Sequence, residues 1–291
     1  MAKTGNDNLP GTAEGAALGR AIHAHSADQP VLSDTWAIHL LADEDRKRVA
    51  SQGSDGMHAI EGFDASPVFA VNVGCLRYAE DAVDAAIAAG IDQYLILGAG
   101  FDTFALRRSD AVGRVTVFEI DHPDVQALKR ERISAAPVTP AALPRFIPID
   151  FETQTIRGVL RDSGFDPSRP CIVSLVNTLH YLTEEATRRS LAELGECLVP
   201  GSRLVLNYGP DVDLTESQLD FIVRLLEVTS SAGETMRSRW KPADFAAMLA
   251  EYGFTVSEHI DEDVLIARYF AGRDDGLSPG IPLRALVAER V

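Results

Sequence analysis

The sequence predicts a doubly wound α/β fold, a mostly parallel sheet with helices on both faces. From residue 93 onward, short apolar runs alternate with stretches of helical length, and such alternation builds a parallel sheet covered on both sides. A glycine turn, "LGAGFDT", directly follows the first of these runs, at the place where an open sheet of this kind receives a ligand. Ahead of it, residues 1–90 show helical texture with polar breaks and no strand pattern.

Residues 1–90 therefore read as an N-terminal helical cap that serves as a substrate lid. "AEGAALGRAIHAHSA" and "DTWAIHLLADEDRKRVA" carry apolar residues at helical spacing, and "SQGSDGMHAIEGFDASP" interrupts them as a loop. "VNVGCLRYAEDAVDAAIAAG" ends on Gly90, where a helix-terminating glycine belongs. A main domain over residues 91–270 follows, with strands expected at Gln93–Leu97, Val115–Glu119, Arg145–Ile149, Cys171–Val176 and Arg203–Tyr208. Residues 211–240 form an expected lid insertion: "LTESQLDFIVRLLEV" as an amphipathic helix and "SSAGETMRSRW" as a polar loop. "KPADFAAMLAEYG" is a helix opened by Pro242 and closed by Gly253, and "FTVSEHI" and "DVLIARYF" read as a closing pair of strands, giving seven in all. Residues 271–291 are left as a C-terminal tail.

Composition narrows the function classes. With 291 residues and 46% hydrophobic content the chain can bury a full core. A net charge of -16 without any Lys/Arg-rich run disfavours a nucleic-acid partner. No long uncharged apolar stretch and no apolar leader appear, so neither membrane spanning nor secretion is expected and a cytoplasmic enzyme fits best. Cys75, Cys171 and Cys197 are too few and too far apart for a zinc site or a disulfide framework, and no metal is expected. A small-molecule substrate is expected, and a homo-oligomer is compatible with the composition.

The glycine turn and the acid beyond it carry the chemistry. Gly98 and Gly100 remove side chains that would block a cofactor, and Asp102 or Thr103 can cap the next helix. Glu119 closes the second predicted strand about 20 residues on, where an acid accepts hydrogen bonds from ribose hydroxyls. A dinucleotide fingerprint needs a third glycine beside the pyrophosphate, and Thr103 and Phe104 occupy that region instead. The ribose could still belong to a nicotinamide dinucleotide in an NAD(P)-dependent oxidoreductase, to S-adenosylmethionine, or to neither in a non-catalytic binding protein.

"GAGFDTFALR" followed by "VFEIDHPDVQALKRERI" resembles the leucine carboxyl methyltransferase-like family, which includes polyketide O-methyltransferases of tetracenomycin type. The resemblance implies a Rossmann-like class I methyltransferase fold, a sheet that ends on a hairpin-like pair, and S-adenosyl-L-methionine as cofactor. It implies further that Gly98, Gly100 and Asp102 line the methionine and sugar portion, Glu119 binds the ribose, and Asp150 with Phe151 in "FIPIDF" holds the adenine. Arg77 in "CLRYAED" matches the family arginine that pairs with the cofactor's carboxylate; by spacing alone it is equally a structurally paired arginine. In "SLVNTLHYLTEEA", Tyr181 and Leu182 match the family while Val176 and Asn177 depart from its acid-glycine pair, leaving the Val176 carbonyl or the Asn177 amide to face the cofactor's amino group.

The implied activity is O-methylation of a small-molecule carboxylate or hydroxyl, such as a secondary metabolite. A carboxylate is ionised at neutral pH and needs no base, whereas a phenol or alcohol gains from one. His180, at the end of the fourth strand, is the candidate base or else a hydrogen-bonded histidine shaping the pocket. Tyr181 orients substrate or packs, and Asn207 and Tyr208 end the fifth strand near the same site.

Overall fold

The computed structural model describes residues 9–52, 66–151, 153–231 and 236–291. Most of the loop expected at "SQGSDGMHAIEGFDASP" and part of that at "SSAGETMRSRW" lie outside the described residues. Two helices, α1 (Leu9–Ser26) and α2 (Asp43–Gln52), precede the long α3 (Ser66–Ala88), which ends at Gly90 in a left-handed conformation with φ of 91°.

The parallel part then alternates as expected: β1 (Gln93–Leu97), the short α4 (Phe104–Arg107), β2 (Thr116–Asp121), α5 (Pro123–Ala135), β3 (Arg145–Pro148), α6 (Ile156–Leu160), β4 (Ile172–Leu175), α7 (Glu184–Cys197) and β5 (Arg203–Tyr208). Local chemistry sets these starts. Pro123 opens α5 behind His122, and Thr183 caps α7 by accepting a hydrogen bond from the Ala186 amide at 3.1 Å. β1 is buried along its whole length and its side chains alternate between two cores. Tyr94 and Ile96 join the α1 and α3 side, whereas Leu95 and Leu97 pack with Phe118, Ile120 and Leu175 on the other.

After β5 come α8 (Glu216–Ser231), α9 (Pro242–Glu251), β6 (Phe254–Asp261), α10 (Glu262–Tyr269) and β7 (Arg284–Arg290). Here the sequence expectation is corrected. "DVLIARYF" is a helix, because Asp261 caps it through the Val264 amide at 3.0 Å, Glu262 and Asp263 fill its first turn, and Arg268 lies in its last. Leu265 and Phe270 then pack against Gly74 on α3, where an added Cβ would meet them at 3.0 and 2.9 Å. The seventh strand comes instead from the presumed tail, whose "RALVAER" inserts antiparallel between β5 and β6.

The sheet order is β3-β2-β1-β4-β5-β7-β6. β1 to β3 step outward to one side and β4 and β5 to the other, so the chain reverses direction between β1 and β4. The crevice beyond the carboxyl ends of those two strands is where an open α/β sheet binds its ligand. No helix among the described residues is long and apolar enough to cross a membrane.

Candidate functional site

Two chambers lie at that switch point. The first, of about 340 Å³, has the turn from Gly98 to Asp102 as its floor, the end of β4 from Ser174 to Thr178 as one wall, and Ala13, Ala16 and Arg20 of α1 above it. The turn must be glycine where it is closest. Gly98 has φ of 68°, and a Cβ there would stand 2.8 Å from the Thr178 methyl; Gly100 has φ of 49°.

Asp121, the last residue of β2, reaches this chamber. Its Oδ2 accepts from the Gly100 amide and its Oδ1 from the His122 amide at 2.6 Å, so the backbone aims the carboxylate. Asp102 lines the same chamber and accepts from the Phe104 amide at 2.7 Å. Burial pushes the carboxyls of both aspartates above the usual range, and Lys129 opposes the shift in each.

Glu119 does not line the chamber. Strand periodicity points it to the same side as Asp121, but it stops about 7 Å short of the strand's end. There it is 1% exposed, with Lys129 Nζ 2.5 Å from Oε2 and no partner for Oε1. Burial pushes its carboxyl up to about 7, against the pull of the Lys129 ammonium. β2 runs two residues beyond its expected end, and those two residues move the acid at the mouth from Glu119 to Asp121.

Arg77 is also outside the chamber. It is exposed on α3, bonded through Nε to Asp81 Oδ1 at 2.9 Å. A helix turns about 100° per residue, so it is Leu76, Ala79 and Glu80 that face the chamber while Arg77 faces a surface groove. The cation in the chamber wall is Arg20, only 4% exposed, which donates from Nε to Asp34 Oδ2 at 2.8 Å and from Nη2 to the Phe101 carbonyl at 2.5 Å. Its signal in the sequence is an arginine on a stripe of alanines, Ala13, Ala16, Ala17 and Ala24, at helical spacing.

Phe151 lines the chamber. Asp150 sits next to it outside the wall, its Oδ2 accepting from Thr153 Oγ1 at 2.9 Å.

The second chamber, of about 450 Å³, is mostly apolar, with Val68 and Val71 of α3, Leu225 and Leu226 of α8, Tyr208 and Leu283 among its walls. Asn177 and Tyr181 belong to both chambers. Asn177 holds a left-handed conformation, φ 57°, that few residues besides asparagine and glycine adopt. A reciprocal amide pair fixes it: its N–H donates to Asn207 Oδ1 at 2.6 Å, and Asn207 Nδ2 donates to its Oδ1 at 2.9 Å. Asn207→Leu strands that part-buried amide and should cost about 1 kcal/mol, read as a lower urea midpoint at unchanged slope. An unchanged midpoint would show that the pair is not what fixes the wall.

His180 faces the second chamber, where burial pulls its imidazole down to about 4. Its ring lies 4.2 Å from that of Tyr181, and its carbonyl accepts from the Arg237 amide at 2.7 Å.

The first chamber has the donor set that an adenosyl amino acid requires. It offers an aimed carboxylate for a ribose, an aromatic face for a base, a buried guanidinium for a carboxylate and a glycine floor for close approach.

Residues 13–195 match the family model described as leucine carboxyl methyltransferase. A Mycobacteroides abscessus protein, provisionally named an S-adenosyl-L-methionine-dependent methyltransferase, is 30% identical over 92% of this chain and 92% of its own length. Bacillus subtilis YktD, provisionally named likewise, is 29% identical over 69% of this chain and 66% of its own length. Among solved structures, a Thermobifida fusca protein provisionally named a methyltransferase superposes with a TM-score of 0.58 at 20% identity over 97% of this chain and 98% of its own. The magnesium protoporphyrin IX methyltransferase of Synechocystis, solved with bound SAH, shares the fold with a TM-score of 0.50 at 14% identity over 86% of this chain and 95% of its own.

Proposed function

We propose that this chain, which belongs to the leucine carboxyl methyltransferase family, methylates the carboxylate of a small molecule with an apolar body. It is an S-adenosylmethionine-dependent methyltransferase, so the nicotinamide and non-catalytic alternatives are set aside. The cofactor, when bound, supplies an electrophilic methyl group on a sulfonium; an acceptor oxygen takes the methyl as the carbon–sulfur bond breaks in line. Protein groups then have only to align the reactants and exclude water.

In this reading Asp121 accepts from the ribose hydroxyls, Phe151 packs on the adenine, and Arg20 pairs with the amino-acid carboxylate. Gly98, Gly100 and Asp102 lie along the sugar and methionine. Val176 and Asn177 face the amino group. The observation that carries the reading is the shared wall: Asn177 and Tyr181 line both chambers, so an acceptor in the apolar chamber meets a methyl donor in the first at that wall.

An imidazole near pKa 4 is neutral at physiological pH and a weak base, which favours an acceptor that is already ionised. A secondary-metabolite acid of polyketide type satisfies both the charge and the apolar lining. The test is methyl-donor consumption over a panel of apolar carboxylic acids and phenols, for wild type and His180→Phe. Carboxylic acids should turn over in both enzymes with kcat within about 10-fold, below the 10²–10⁴-fold that general-base catalysis contributes. Turnover of phenols alone, collapsing in His180→Phe, would overturn the carboxylate assignment.

A further inference from the structure

The second chamber carries charge of one sign. Two arginines, Arg237 and Arg239, and no carboxylate line it among the described residues, in a chain whose 43 acids outnumber its 27 Lys and Arg residues. Both come from the segment that joins α8 to α9, which is docked at two points: the Arg237 amide donates to the His180 carbonyl at 2.7 Å, and the Trp240 amide to the Gly209 carbonyl at 3.1 Å. Arg239 donates from Nε and Nη2 to the Pro210 carbonyl at 3.1 and 2.9 Å, so its side chain is held while its charge meets only a neutral oxygen. Neither arginine forms an ion pair among the described residues. Both are exposed, which places them where the chamber opens to solvent. His180 is neutral at physiological pH, so the two guanidiniums supply the charge of this otherwise apolar lining. Guanidinium forks of this kind match a carboxylate.

The reacting oxygen is not what they hold. It meets the methyl donor at the wall formed by Asn177 and Tyr181, and neither arginine lines the first chamber. A guanidinium locked on the reacting carboxylate would also favour the ground state over a transition state in which that charge is vanishing.

We propose that Arg237 and Arg239 hold a second carboxylate of the acceptor, so that the substrate is a dicarboxylic acid with an apolar body and the product is its half-ester. The proposal rests on the second chamber as the acceptor's. One carboxylate oxygen takes the methyl as the carbon–sulfur bond breaks, the electron pair of that bond stays on sulfur, and this end becomes a neutral ester. The other end stays ionised at the arginines throughout. That contact is equal in the ground and transition states, so it lowers KM and changes kcat little. A single exposed ion pair is worth little. Here two arginines share the task, and Arg239 is held before the acceptor arrives, which reduces the ordering cost.

The experiment compares dicarboxylic acids with their monomethyl esters, matched in length, as acceptors for the full chain supplied with S-adenosylmethionine. The diacid should have a kcat/KM at least about 10-fold above that of its half-ester, mostly through KM, and the advantage should shrink with added salt. Arg237→Met and Arg239→Met should each raise KM for the diacid and bring the ratio toward one, while Arg237→Lys and Arg239→Lys keep part of it. A purely structural role for the segment lowers both acceptors together and leaves the ratio and its salt dependence where they were. Equal efficiency of diacid and half-ester in the wild type, or a ratio unmoved in both Met variants, overturns the proposal. Should phenols alone be methylated, the carboxylate assignment of the reacting group fails, and hydroxybenzoic acids against their methyl esters put the same question to the arginines. A preference for the free acid that falls in the Met variants keeps the anion at Arg237 and Arg239; equal efficiency removes it. No turnover in either series takes the acceptor out of the second chamber, and the proposal with it.

Discussion

Arg20→Met is expected to lower the unfolding free energy by about 3–5 kcal/mol, the penalty for breaking a buried ion pair by removing one partner. Asp34 is 1% exposed and would be left with the Trp36 and Ala37 amides at 3.2 and 3.0 Å, the Thr103 hydroxyl, and Arg107 Nε at 3.9 Å. Burial pushes the Asp34 carboxyl upward, yet Arg20 and Arg107 hold it below the ordinary carboxylate range. Because the folded-state pKa is depressed, the stabilisation is present above the unfolded value, near 4, and is lost only as pH falls through the folded one. Without Arg20 the buried charge is poorly compensated, so the loss should already show at neutral pH. Urea titration measures it. Asp34→Asn added to Arg20→Met should recover part of the loss, because the pair share one network. A cost below about 1 kcal/mol would mean that water enters and solvates Asp34, as at an exposed pair.

How much of this was legible in the sequence depends on how local each signal was. β1 and β5 coincide with their expected ranges because each is an apolar run bounded by polar residues or glycine. β2 outruns its expected range because "EID" interrupts the apolar run with charges, and only the pairing of Ile120 with Leu97 and Ile147 and of Asp121 with Pro148 shows that the strand continues. "DVLIARYF" has an apolar content that suits strand or helix; its capping aspartate is the local cue for helix, and its packing on Gly74 is tertiary. β7 was hidden by a preceding Gly- and Pro-rich segment, and it becomes a strand only because β5 and β6 leave a slot between them. Arg20 and Arg77 show the same limit at the site. Both are arginines on amphipathic helices, and only the packing of α1 over the glycine turn tells which one enters the chamber.

Asp121→Ala is expected to weaken S-adenosylhomocysteine binding about 100-fold near pH 8, while Glu119→Gln changes it less than about 10-fold. The estimate follows from two hydrogen bonds to a carboxylate, each about 1.5 kcal/mol at the low end, so that about 3 kcal/mol is forfeited. Asp121 is aimed before any ligand arrives, because the Gly100 and His122 amides fix its oxygens, so little ordering entropy offsets that interaction. Glu119 is screened from the ligand by its place under α5 and acts only through charge, hence the smaller effect. Isothermal titration gives both numbers. A large loss in Glu119→Gln with none in Asp121→Ala would return the ribose to Glu119 and require β2 to end earlier on binding. The contrast bears on how such sites are read, because in "FEID" both acids share one face of a strand. What separates a ligand from a buried counter-ion is the distance to the strand's end.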